Sequence, residues 1–118
     1  LAALVAAVVS PGVAEAKPGC KTKRCRDRVE WRYYKANPMP RCTWFGESGG
    51  SYRARNARST AGGKYQILDG TWYGNGGSQP PRGHRFARWP ASVASPLEQE
   101  RVARRVLRSQ GLGAWVLC

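Results

Sequence analysis

At 118 residues the chain has room for one domain of ordinary size and no more. A hydrophobic content of 42% is too low for a membrane bundle, and five Trp and five Tyr supply the burial that simple disorder lacks. Twenty Lys and Arg against seven Asp and Glu give a formal net charge of +13, which points toward anionic partners or surfaces.

Leu1 to Val9 is an apolar run followed by Pro11-Gly12 and then Ala14-Glu15-Ala16. The run is far short of the roughly 20 residues a bilayer span needs. Small residues at Ala14 and Ala16 fit a signal-peptidase site, so residues 1–16 read as the tail of a secretory signal, removed on export. A basic segment over 17–37 follows, and 38–118 is expected to form the principal domain. Within the basic segment, a helix is expected over Arg26 to Ala36, stopped by Asn37-Pro38, with Val29 and Tyr33 four apart on one face. A second short helix is expected from Pro40 to Glu47, with Pro40 in its first turn and Gly49-Gly50 ending it. Ala61 to Leu68 reads as a turn running into a short strand or hairpin arm. Asp69 to Gly74 reads as one or two helical turns with Asp69 as cap, and the Gly- and Pro-rich residues 74–94 as loop. Ser95-Pro96-Leu97-Glu98 has the form of a capping box. The helix it opens carries Val102, Ala103, Val106 and Leu107 on one stripe and stops at Gly111. Arg101, Arg104, Arg105 and Arg108 of that helix read as a solvated face.

Export changes the meaning of Cys20, Cys25, Cys42 and Cys118. An even count in a small secreted domain favours disulfides, and four cysteines allow three pairings. A zinc site lacks the second ligand pair it needs, so no metal and no cofactor is expected. The single histidine, His84, stands in a Gly/Pro/Arg loop and reads as a surface residue.

One acid has a distinctive setting. Glu47 stands between Trp44-Phe45 and Ser48-Gly49-Gly50, with Tyr52 close behind. Aromatic neighbours desolvate a carboxyl and keep it protonated near neutral pH, as a general acid requires. Paired glycines let backbone approach a bulky ligand. The simpler alternative is a turn residue paired with a nearby Arg.

Cys42, Glu47-Ser48-Gly49-Gly50, Tyr65-Gln66 and Gly70-Thr71-Trp72 occur in an order that resembles the resuscitation-promoting factors and related transglycosylase-like domains of actinobacterial cell walls. The terminal stretch from Ser95 to Cys118 is similar to the end of the same domain. The resemblance implies a small, mainly helical lysozyme-like domain of the α+β class, with a short β-hairpin and disulfide stabilisation. It implies that Glu47 is the catalytic acid and that Gln66 and Thr71 line the glycan cleft. Tyr65 and Trp72 sit beside that cleft, with Trp72 equally suited to the core. Tyr52 joins them as a substrate-binding candidate. The resemblance also implies a Cys42–Cys118 pair; Cys20 with Cys25 would close a small local loop. Three departures stand out: the Cys lies five residues before the Glu rather than next to it, Ile67 follows Gln66 where Phe is common, and Leu68 precedes Asp69 where some members carry Asp.

Most glycosidases use two carboxylates. Asp69 is the nearest partner for Glu47, although its capping role competes. A lytic transglycosylase works with one acid, which serves as donor and then as base. The expected partners are peptidoglycan glycan strands and anionic cell-wall polymers, met by a secreted monomer without specific nucleic-acid recognition. Two other readings fit the composition: a peptidoglycan-binding or signalling protein on the same fold, and a cationic antimicrobial or nucleic-acid-binding protein.

Overall fold

In the structure, a computed structural model, residues 19–118 are described. The expected leader over 1–16 lies outside them. The chain divides into two compact units that part after Pro38.

The described part of the first unit is one helix and its staple. The Thr22 hydroxyl accepts from the Cys25 N–H at 3.1 Å, satisfying a donor that every helix start leaves open. Helix α1 therefore runs over Lys23–Ala36, beginning three residues before the expected Arg26. Cys20 is bonded to Cys25 across this cap. Asn37 closes the helix, donating its backbone and side-chain N–H groups to the Tyr33 carbonyl.

The second unit, Met39–Cys118, opens with a correction. Instead of one helix from Pro40 to Glu47, a 3₁₀ turn (Arg41–Thr43) is followed by a separate single-turn helix α2, Phe45–Ser48. Thr43 explains the break. Its hydroxyl donates to the Pro40 carbonyl at 2.6 Å, which tightens the turn to three residues. Trp44 then leaves helical geometry at φ −138°. Pro40 caps this turn and does not sit in its first position. Gly49, left-handed at φ 67°, ends α2 as expected.

The expected β-hairpin does not form. Among the described residues there is no strand, only two isolated antiparallel bridges, Arg55 with Gly62 and Gly62 with Ile67. Gly63 (φ 79°) and Gln66 (φ 50°) turn the chain too often for a ladder to extend. A Cβ at Gly63 would fall 2.3 Å from the Gln99 side chain, so that turn is pressed directly onto the last helix. The described domain is thus small and mainly helical with two disulfides, and the α+β description is corrected on this point.

Helix α3 spans Asp69–Gly74, but Leu68, not Asp69, occupies the cap position. Asp69 instead accepts from the Thr60 hydroxyl at 2.9 Å and the Gly70 N–H at 2.7 Å. The expected loop over 74–94 contains a further turn of helix, α4 (Pro90–Val93), with Pro90 at its start.

Helix α5, Pro96–Gln110, begins at Ser95, whose hydroxyl accepts from the Glu98 N–H at 3.2 Å. The reciprocal half of the capping box is absent. The Glu98 carboxylate turns to the Ser78 N–H (2.7 Å) and hydroxyl (2.8 Å), pinning the long loop to the helix. Val102, Ala103 and Val106 are buried against Met39, Tyr65, Ile67, Trp72, Ala91 and Trp115, with Leu107 at the margin. Burying each of the two valines contributes about 1.5–3 kcal/mol. Arg104 departs from the solvated face expected of it: it is buried. Cys42 is bonded to Cys118, tying the start of the unit to its end.

Candidate active site

The second unit carries four carboxylates: Glu47, Asp69, Glu98 and Glu100. Asp69 is held by Thr60 and Gly70, and Glu98 by Ser78. Glu100 is the most heavily engaged. It accepts from Tyr52 Oη at 2.6 Å, from Tyr65 Oη at 2.8 and 2.9 Å and from Lys64 Nζ at 3.2 Å, and it pairs with Arg104. Burial pushes the Glu100 carboxyl up, but the hydrogen bonds from Tyr52, Arg104 and Tyr65 and the Lys64 charge outweigh it, leaving the pKa below the ordinary value. The same burial and the neighbouring Glu100 charge drive both phenols well above their ordinary range.

Glu47 is the exception. It is partly buried and makes no hydrogen bond or ion pair with a described residue. Burial pushes its carboxyl above the ordinary value.

Local structure positions this acid. Trp44 meets Phe45 edge-on with ring centroids 6.1 Å apart, and Arg41 lies 4.0 Å over the exposed face of Phe45. Gly50 abuts the Trp44 ring, while Gly46 lies against Leu117, where a Cβ would fall 2.3 Å from its methyl group. The Ser48 hydroxyl donates to the Lys64 carbonyl at 2.6 Å, fastening α2 to the turn that bears Gln66.

Gln66 and Thr71 line one small cavity of about 90 Å³, together with Leu68, Gln110 and Trp115. That space admits a ligand substituent and is too small for a sugar ring. Gln66 is the one non-glycine residue at positive φ among those described, and such strain gathers at functional positions. Its amide donates to the Gly63 carbonyl at 3.1 Å. Tyr65 borders the same cavity but is buried, with its hydroxyl on Glu100 and its carbonyl accepting from Trp115 Nε1 at 3.1 Å. Trp72 is wholly buried and donates to the Ser78 carbonyl at 2.8 Å. Tyr52, expected beside Glu47, has its hydroxyl committed to Glu100.

Sequence reasoning missed the Glu100 cluster and the role of Gln99. Gln99 is buried, accepts from the Lys64 N–H and donates to the carbonyls of Tyr52 and Ala94, each at 3.0 Å. The available signal was Glu100 four residues before Arg104 on a helix. Among the described residues, no three His, Cys, Asp or Glu side chains group to hold a metal ion. No described helix is long and apolar enough to cross a membrane.

The transglycosylase-like domain family matches residues 45–118. The chain is 42% identical over 72 residues to the resuscitation-promoting factor RpfE of Mycobacterium tuberculosis (strain ATCC 25618 / H37Rv), covering 61% of this chain and 36% of that protein. It is 38% identical over 72 residues to the resuscitation-promoting factor RpfD of Mycobacterium tuberculosis (strain CDC 1551 / Oshkosh), covering 61% of this chain and 40% of that protein. The chain therefore spans well under half the length of these relatives. No solved structure matches it.

Proposed function

Because this chain belongs to the transglycosylase-like domain family, we propose that it cleaves the glycan strands of peptidoglycan, with Glu47 as the proton-transferring residue. The observation that carries the reading is the isolation of Glu47. Among the described residues it is the one side-chain carboxylate of its unit without a hydrogen-bond or ion-pair partner, and burial favours its protonated form.

The chemistry follows from having one free acid. Glu47 gives its proton to the glycosidic oxygen between N-acetylmuramic acid and N-acetylglucosamine, and the bond from the anomeric carbon breaks. The carboxylate so formed takes the proton of the muramic 6-hydroxyl, whose oxygen closes onto the anomeric carbon. The product is a 1,6-anhydro sugar, and Glu47 ends protonated again. Asp69 is given no step: Thr60 and Gly70 both donate to its Oδ1, which serves the start of α3. Proton transfer of this kind contributes about 10²–10⁴ in rate. Gln66 and Thr71 contact a substituent of the glycan. Tyr65, Trp72 and Tyr52 support the cleft from behind, through the Glu100 cluster and the core. The domain acts outside the cell as a lysozyme-like fold, exported by the leader over 1–16. The basic segment 17–37 lies ahead of it and meets the anionic wall.

Mass spectrometry of the products from purified peptidoglycan tests this. Soluble 1,6-anhydromuropeptides are expected. Products with reducing ends would replace transglycosylation by hydrolysis, and retention on the wall without products would replace the enzyme by a binding protein.

A further inference from the structure

A cavity of about 830 Å³ opens in the second unit between residues 53–55 and 83–86. Arg53, Arg55, His84, Arg85 and Phe86 line it, and Glu47, Gln66 and Thr71 do not. Its volume lies within the range of sites that take a ligand of sugar size or larger.

The walls are tied together. Trp89 Nε1 donates to the carbonyls of Asn56 (2.8 Å) and Ser59 (3.0 Å), joining the two loops that form the cavity. The Phe86 N–H donates to His84 Nδ1 at 3.0 Å, so in the neutral ring Nε2 carries the hydrogen and is a donor. The Arg55 guanidinium lies 3.6 Å from the Phe86 centroid and 5.9 Å from that of Trp89, and Arg85 lies 4.6 Å from Phe86. Stacking fixes the plane of a guanidinium and leaves its N–H edges open for bidentate bonds to an oxyanion.

Among the described residues, nothing compensates the charge of this cavity. No carboxylate of a described residue lines it, and none of its three arginines is in an ion pair with a described residue. Three like charges on one concavity repel, and a bound polyanion relieves that repulsion.

We propose that the Arg53–Arg55–Arg85 cavity is an oxyanion-binding site for a polymer carrying two or more closely spaced phosphate or carboxylate groups. None of Glu47, Gln66 and Thr71 lines the site, although the Gln66 amide reaches the Ala54 carbonyl between its arginines at 3.4 Å. On the reading of the domain as a wall-cleaving enzyme, the site holds the domain on the charged portion of a wall polymer.

Calorimetric titration of the full chain at low salt tests the site with two probes, a glycerol-phosphate oligomer and a glutamate-rich tetrapeptide. Neither probe has a bond for Glu47 to cut, so the result is separate from the activity. Arg53→Gln with Arg85→Gln alters exposed side chains and removes two charges. Arg24→Gln with Arg108→Gln, also exposed and outside the cavity, removes the same charge. The cavity pair is expected to weaken binding about tenfold or more, and the control pair less than about twofold. Loss for the oligomer alone assigns phosphate, loss for the peptide alone assigns carboxylate, and loss for both assigns a general oxyanion site. Equal weakening by the two pairs, or no binding of either probe to the unaltered chain, would overturn the proposal.

Discussion

The Ser48 hydroxyl donates to the Lys64 carbonyl at 2.6 Å, and this bond joins the turn of helix that carries Glu47 to the turn that carries Gln66. Sixteen residues separate the two partners in the chain. Ser48 also accepts from the Gly50 N–H at 3.0 Å, so one hydroxyl sets both the end of α2 and its neighbour. Ser48→Ala is expected to cost about 0.5–1.5 kcal/mol of stability. It is expected to lower the cleavage rate about tenfold or more, because small displacements of a reacting group are expensive in rate. Ser48→Thr, which keeps the hydroxyl, is expected to recover most of the rate. Unfolding curves and cleavage assays on the two variants check both parts.

Glu100 is expected to matter for stability and not for chemistry. Its pKa is lower in the folded chain than in the unfolded one, where a free carboxyl titrates at about 4.3. The stabilisation is therefore complete above the unfolded value and is lost as pH falls through the folded one. Glu100→Gln leaves Arg104 buried beside a neutral group and is expected to cost about 3–5 kcal/mol at neutral pH. The gap between the variant and the unaltered chain is expected to narrow as the pH drops below about 4. Denaturant titrations across the acid range check the sign.

The two disulfides are expected to differ in effect. Cys42–Cys118 closes 76 residues of sequence separation and Cys20–Cys25 closes five. Loop-closure entropy makes the long closure worth about 4–5 kcal/mol and the short one about 2. Replacing Cys42 and Cys118 together by Ser is expected to lower Tm by roughly 15 °C or more. Replacing Cys20 and Cys25 together is expected to change α1 and leave cleavage intact. Thermal unfolding of the two double variants compares them directly.

Helix α5 was legible because its stripe repeats at helical spacing and Ser95-Pro96 marks its start. The Asn37 and Gly49 stops were legible for similar local reasons. The hairpin is not legible because the composition of Ala61 to Leu68 suits a strand, whereas Gln66 turns left-handed and its amide also reaches the Ala54 carbonyl, 3.4 Å away and outside that segment. Glu98 and Asp69 were assigned to local capping, yet each bonds a partner a loop away, Ser78 and Thr60. Arg104 looked solvated because its four-residue neighbour Glu100 showed no sign of Tyr52 and Tyr65, which lie 48 and 35 residues from Glu100 in the chain. The arginine cavity was hidden for the same reason. Residues 53–55 and 84–86 meet only after the intervening chain folds. Glu47 is legible in the sequence because its aromatic and glycine neighbours are adjacent to it in the chain.

The central claim is tested most directly by the cleavage rate of Glu47→Gln on purified peptidoglycan. Glu47 has no partner to lose among the described residues, so the substitution is expected to change stability by less than about 0.5 kcal/mol. The rate is expected to fall by about 10²–10⁴. A folded Glu47→Gln chain that releases muropeptides at the unaltered rate would contradict the account.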